Sequence, residues 1–205
     1  MLLRLNVLVI VLRALVTGTY AVGMGVQLPF LCIKRICSMH LQPPPKENTM
    51  STTITVNAID LLKADHREAE ALFKQYEKAK KAGKTSEKRD IARKVCAALL
   101  IHMEIEENIF YPSARKATGD DDKLNEAEVE HAGAKSLITQ LDKMEADDPM
   151  FDAKIKVLSE QIEHHVEEEE KELFPEVKKS KADLDDIGEQ LEKAKARLKA
   201  ARGID

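Results

Sequence analysis

A duplicated pattern constrains this chain more than any other feature. His102-Met103-Glu104-Ile105-Glu106-Glu107 leads to Tyr111-Pro112, and His165-Val166-Glu167-Glu168-Glu169-Glu170 leads to Phe174-Pro175 at the same offsets. His66 and His131 repeat too, 36 and 34 residues before the histidine that follows each (102 − 66, 165 − 131). Apolar residues recur around them every three or four positions, the spacing that aligns one face of an α-helix. The first stripe is Ile59, Leu62, His66, Ala69, Phe73 and Tyr76, and the second is Ile91, Val95, Ala98, His102, Ile105 or Glu106, and Ile109. The third runs Leu124, Ala127, His131, Ala134, Ile138 and Leu141, and the fourth Ile155, Leu158, Ile162, His165, Glu169 and Leu173. Gly83 with Ser86, Gly119 to Asp122, and Asp147 to Pro149 fall between stripes, while Pro112 and Pro175 are expected to close the second and fourth helices. The unit is a helical hairpin used twice, and its short connections favour antiparallel neighbours. The expected fold is all-α, an up-down-up-down four-helix bundle over residues 57–175.

Counting along the helices sets the height of each histidine. With the first helix ending near Ala82 and the second beginning at Ser86, His66 and His102 both lie 16 residues from the turn (82 − 66, 102 − 86). The other hairpin gives 13 residues from His131 to Met144 and 14 from Phe151 to His165, and one residue is only about 1.5 Å of rise. Four histidines thus converge from four helices. Glu106 and Glu169 stand four residues after His102 and His165, on the same helical faces.

Two carboxylates inside a small bundle need compensation, because a buried unpaired carboxylate takes up a proton rather than stay charged. A cation supplies it. Imidazole with carboxylate suits iron, manganese or zinc, whereas an all-oxygen calcium site leaves the histidines unexplained. A lone core histidine is ordinarily hydrogen-bonded structure, and an isolated His–Glu pair at i,i+4 is an ordinary helix contact. Four histidines at one level with two glutamates in register outweigh both readings. His164 points away around the helix. Glu104, Glu107, Glu168 and Glu170 read as solvated, with Glu107 and Glu170 the two able to turn inward. Cys96 lies off the stripe as ordinary packing.

This pattern resembles the hemerythrin-like, or HHE cation-binding, family over about residues 57–175. The likeness rests on Asp65-His66, on His102 through Glu106 before Phe110-Tyr111-Pro112, on His131, and on His165 through Glu169 before Leu173-Phe174-Pro175. The resemblance implies two iron ions with a bridging oxygen species. It further implies terminal histidines His66, His102, His131 and His165, and bridging or capping carboxylates Glu106 and Glu169, with Glu170 in reserve. Oxygen-carrying relatives have a fifth histidine one turn after the one in the third helix, and Lys135 stands there instead, a departure that argues against reversible oxygen carriage.

Outside the bundle, residues 1–49 are apolar and basic, with no acid before Glu47. They are read as a targeting segment, a disordered extension, or an upstream stretch before a start at Met50. Arg13 interrupts the apolar run from Leu5 to Val16, which falls short of the roughly 20 residues a membrane span needs, so no membrane association is expected. Residues 181–202 carry another amphipathic stripe, Leu184, Ile187, Leu191, Ala194 and Leu198, expected to dock on its own bundle as a monomer or to pair two copies weakly. A net charge of -4 with interleaved signs offers no basic surface, which excludes nucleic acid as a partner. Cys32, Cys37 and Cys96 make no disulfide framework, and a reducing cytoplasm is expected.

Three functions are weighed in order. The first is a metal-binding protein that binds or senses a small diatomic ligand such as oxygen or nitric oxide, or reports iron or redox state. The second is an oxidase or peroxidase-like enzyme, placed lower because no nucleophile, base and oxyanion arrangement is recognisable. The third is a structural or interaction bundle with a degenerate metal site.

Overall fold

The computed structural model describes residues 56–119 and 121–204, all helix, turn or loop, with no strand among them. The expectations for residues 1–49 lie outside the described residues. The first hairpin is α1 (Ala58–Lys81) and α2 (Thr85–Ile105). It continues without a break through a π segment (Glu106–Phe110) into α3 (Tyr111–Thr118). The second hairpin is α4 (Asp122–Asp142) and α5 (Phe151–Glu168), and a second π segment (Glu169–Leu173) leads into α6 (Phe174–Lys179). An added helix, α7 (Leu184–Ala201), completes the chain.

Local chemistry fixes the ends. Asn57 caps α1 by accepting a hydrogen bond from the Ile59 amide at 3.1 Å. Gly119 ends α3 in the left-handed region at φ 73°, where a side chain would be strained, and its N–H returns to the Arg115 carbonyl. The Asp183 side chain caps α7 by accepting from the Asp186 amide.

Pro112 and Pro175 do not close their helices, contrary to the expectation from sequence. Each sits in the first turn of the resumed α-helix, where a missing N–H is tolerated. The i→i+5 bonds that precede them run from the Tyr111 amide to Glu106 and from the Phe174 amide to Glu169. Side chains satisfy carbonyls loosened around the first π segment: Asn108 donates to Glu104 O at 2.7 Å and Ser113 to Ile109 O at 2.8 Å. The wider turn also shifts the stripe. Phe110 is fully buried and Ile109 only partly, while in α2 before the π segment Leu99 takes the buried place expected for Ala98.

The core divides in two. Phe73, Tyr76, Val95, Ile138, Phe151 and Leu158 belong to one apolar cluster, and Ile59, Leu62, Phe110, Leu124, Phe174 and Leu191 to the other. On α1 the clusters separate between Leu62 and Ala69, and on α4 between Ala127 and Ala134, so His66 and His131 fall at the seam. His165 and Glu169 occupy the same gap between Ile162 and Leu173. Cys96 is half-buried against the first cluster, as its off-stripe position implies. Among the described residues no helix is long and apolar enough to cross a membrane.

The apolar face of α7 docks on its own bundle, with Ile187, Leu191 and Ala194 buried against the second cluster. Its closest approach is at Gly188, where an added Cβ would lie 1.7 Å from the Val56 carbonyl oxygen and 2.9 Å from the Ala58 nitrogen. In an ordinary helix interior, glycine to alanine stabilises by roughly 0.5–1 kcal/mol. Here Gly188→Ala should instead destabilise by roughly 1–3 kcal/mol, because backbone must move to admit the methyl. Thermal unfolding followed by circular dichroism checks this, and a raised midpoint would show that α7 does not dock at Val56.

Candidate metal centre

Each of the four long helices delivers one buried imidazole to the seam. The Nε2 atoms of His66 and His102 lie 3.2 Å apart, and those of His131 and His165 3.1 Å apart. Glu106 enters from the first π segment with Oε2 at 3.2 Å from His102 Nε2 and 3.4 Å from His131 Nε2. Glu169 enters from the second with Oε2 at 3.3 Å from His66 Nε2 and 3.6 Å from His165 Nε2. Both carboxylates are buried, Glu106 completely. All six residues expected as ligands are therefore in one place.

The outer nitrogens explain which way the protons lie. His66 Nδ1 faces Glu170 at 2.9 Å, His131 Nδ1 faces Glu107 at 2.9 Å, and His165 Nδ1 faces Glu130 at 2.8 Å. His102 Nδ1 faces Asp65 at 3.5 Å, the longest of the four. At His66, His131 and His165 the carboxylate opposite Nδ1 holds the imidazole proton there and leaves the Nε2 lone pair pointing inward, whereas His102 Nδ1 and Asp65 Oδ2 are buried without a hydrogen-bond partner. The interior is thus lined by acceptors. Tyr111 is the exception, its hydroxyl donating to Glu169 Oε1 at 3.0 Å and lying 3.3 Å from His131 Nε2.

The unsatisfied atoms mark where a cation fits. Both oxygens of Glu106 and Oε2 of Glu169 are buried without a hydrogen-bond partner. Two groups of donors lie close enough to share an ion: His66, His102, Glu106 and Glu169, and Glu106, His131 and His165. Glu106 belongs to both. Such acceptors crowded together repel one another unless a positive charge stands between them.

The model of the hemerythrin HHE cation-binding domain matches residues 57–177. The chain belongs to that family. The fold is also that of a solved hemerythrin HHE cation-binding domain-containing protein from Mycobacterium kansasii, 24% identical, with a TM-score of 0.61 over 71% of this chain and 89% of the other. A DNA nickase of Nostoc sp. (strain PCC 7120) is 26% identical over 147 residues, which is 72% of this chain. The chain spans only 39% of that relative's length.

Electrostatics in the hemerythrin bundle stem from burial. Loss of water, then the charges of Glu169 and Asp65, push the Glu106 carboxyl well above its usual range. Burial acts on Glu169 in the same direction, but in the ion-free chain positive charge on the neighbouring imidazoles, His165 first, outweighs it and holds that carboxyl low, and Glu169 and Glu130 raise His165 in turn against its burial. Burial lowers His102 and His131. It also raises the Tyr111 phenol, with Glu106 and Glu169 adding to the effect.

Lys135 does not point into the centre. Its ammonium binds both oxygens of Glu107 at 2.6 and 2.5 Å and so steadies the carboxylate behind His131. Glu170 lies on the outer side of His66, where Arg67 also holds it. Glu107 and Glu170 are accordingly not free surface acids but half-buried partners of imidazoles, while His164 remains exposed beside Glu168. The reading from sequence passed over Glu130 and gave Asp65 no role. The repeat held the signal: Asp65 and Glu130 each precede a histidine, and Glu107 and Glu170 each follow a glutamate at the seam.

One substitution should act in opposite directions on the empty and loaded forms. In chelator-treated protein, Glu106→Gln removes a buried carboxylate that lacks a donor, and should raise stability by at least roughly 1 kcal/mol, about 2–8 °C in midpoint. The sign agrees with pH linkage: a carboxyl raised in the folded state loses its contribution as pH climbs through that raised value, so the gain should grow from pH 5 to pH 8. The same substitution, like Glu169→Gln, should lower bound metal far more than Glu104→Gln, since Glu104 faces Arg202 on the outside. Metal analysis beside thermal unfolding tests both halves. Equal metal loss in all three variants would refute the assignment.

Proposed function

We propose that this hemerythrin-family bundle holds two iron ions and uses them to bind or sense a small diatomic ligand, oxygen or nitric oxide, or to report iron or redox state. The carrying observation is the inward-facing set of four imidazole nitrogens and two carboxylates, divided into two donor groups with Glu106 common to both. His66, His102 and Glu169 would hold one ion and His131 and His165 the other, with Glu106 common to both donor groups. Iron in such a site supplies one-electron chemistry and an open position for a small ligand.

The chain's own residues do the rest. The carboxylates behind the imidazoles fix ring orientation and raise the basicity of each inward nitrogen. A cavity of about 970 Å³ reaches all four histidines past Leu72, Leu100, Met103, Ile138, Ile162 and Val166. The lining also carries charged side chains, Lys135, Lys195, Lys199 and Arg202 among them, so the cavity suits a small uncharged gas without excluding an anion. Lys135, held by Glu107, leaves the face one turn beyond His131 without an imidazole, which supports a centre that reacts with oxygen instead of storing it.

Anaerobic loading should saturate at two ferrous ions per chain, and nitric oxide should change the optical and paramagnetic spectra of that form. A reproducible stoichiometry of one defeats the two-ion reading. Sustained consumption of oxygen or peroxide by the loaded protein would replace binding with oxidase or peroxidase-like turnover.

A further inference from the structure

Among the buried positions at which the two halves of the repeat differ, one carries a polar atom in the first half only. Tyr111 and Phe174 each lie nine residues after a seam histidine (111 − 102, 174 − 165), and both are almost completely buried. Phe174 stacks on His66 with ring centroids 5.8 Å apart and planes inclined by 7°. Tyr111 stacks on His131 at 5.5 Å and 26°. The packing role is therefore the same in both halves, and a phenyl ring fulfils it. The hydroxyl is what the first half adds.

That hydroxyl falls where the donor set is poorer. His66, His102, Glu106 and Glu169 make a group of four, while Glu106, His131 and His165 make a group of three. Two donors at right angles on one ion, with bonds of about 2.0–2.2 Å, stand about 3 Å apart. In the richer group the separations are 3.2 Å for His66 to His102, 3.2 Å for His102 to Glu106 and 3.3 Å for His66 to Glu169. Tyr111 Oη has the same spacing from one member of the poorer group, 3.3 Å from His131 Nε2, and lies 3.0 Å from Glu169 Oε1 of the richer one. We propose that Tyr111 is a metal ligand, its oxygen completing the group of His131, His165 and Glu106.

This assignment rests on the iron-binding reading above. On a ferric ion the oxygen–iron bond would form as the phenol O–H bond breaks, with the proton released to bulk water. No electron is transferred. The alternative role, a hydrogen bond that orients Glu169, leaves the phenol protonated with the ion in place. An anionic oxygen donor favours the ferric state over the ferrous one, so the ion beside His131 becomes the harder of the two to reduce. Lys135 and Tyr111 then have linked roles: one turns away to Glu107, and the other fills the vacated coordination with oxygen in place of nitrogen.

The test uses the full chain loaded with ferric iron. Wild type should show a visible tyrosinate-to-iron charge-transfer band, and excitation in that band should enhance the ring modes of bound tyrosinate in the resonance Raman spectrum. Tyr111→Phe, which copies the other half of the repeat and so should fold, is expected to lose the band and at least tenfold in retention of one iron against a chelator. Tyr76→Phe, whose hydroxyl faces Asp152, should keep both. Two irons without tyrosinate modes would overturn the ligand role of Tyr111 and leave the two-ion site standing. One iron with tyrosinate modes would overturn the two-ion site and keep the ligand. A band that survives Tyr111→Phe, or a chain that binds no iron, overturns the proposal.

Discussion

Six side chains that present lone pairs to one another are the constraint around which this bundle is arranged. His66, His102, His131 and His165 turn Nε2 inward, and Glu106 and Glu169 meet them with buried oxygens that lack donors. In a low-dielectric interior this arrangement costs several kcal/mol per charge unless a cation offsets it. Apolar clusters on both sides of the seam supply the burial that keeps the helices together across such a layer. The layer also explains why the core is split: a continuous apolar interior would leave no room for the imidazoles.

The π segments connect helix geometry to that layer. Glu106 and Glu169 each open one, so the widened turn begins at the residue that carries the carboxylate inward. A single extra residue in the turn rotates the helix beyond it, and Phe110 with Tyr111, and Leu173 with Phe174, both become buried as adjacent pairs. Such bulges recur at functional sites because they aim side chains that a regular ladder cannot. Here they put an aromatic ring against His131 on one side and His66 on the other.

Much of this was legible from the repeat. Helical spacing located four stripes, and equal arms to each turn predicted the meeting of His66 with His102 and of His131 with His165, which the Nε2 separations of 3.2 and 3.1 Å bear out. The α7 stripe read as a docking face because its apolar positions keep a helical period. What the stripe could not disclose was anything off its own face. Asp65, Glu107, Glu130 and Glu170 look like solvated acids beside the stripe, and only the height at which neighbouring helices meet turns them toward Nδ1 atoms. The prolines misled for a related reason. A proline after an apolar run ordinarily ends a helix, and nothing in one-dimensional periodicity signals that a π turn has removed the conflict.

The outer carboxylates break the symmetry of the repeat. Each has an outer partner: the cations Lys135 for Glu107, Arg67 for Glu170 and Lys195 for Asp65, and the His164 imidazole at 3.8 Å for Glu130. Three of these partners come from the duplicated helices, but Lys195 comes from α7. The added helix therefore reaches the centre through Asp65, whose other oxygen faces His102 Nδ1 at 3.5 Å. Charge alternates outward from the seam, from inner carboxylates and imidazole lone pairs to imidazole protons, outer carboxylates and then surface cations. An outer carboxylate strengthens the inward nitrogen by drawing on the Nδ1 proton, and a cation behind it weakens that pull. The four imidazoles thus differ in donor strength although the residues that bear them repeat. His102 has the longest outer contact and a counter-ion from a helix beyond the family match, while His131 has an ammonium from its own helix behind its carboxylate, and the phenol. Two ions held there, as proposed, would meet unequal imidazoles and would not be equivalent, so a hairpin duplicated in sequence gives a seam with two chemically distinct halves.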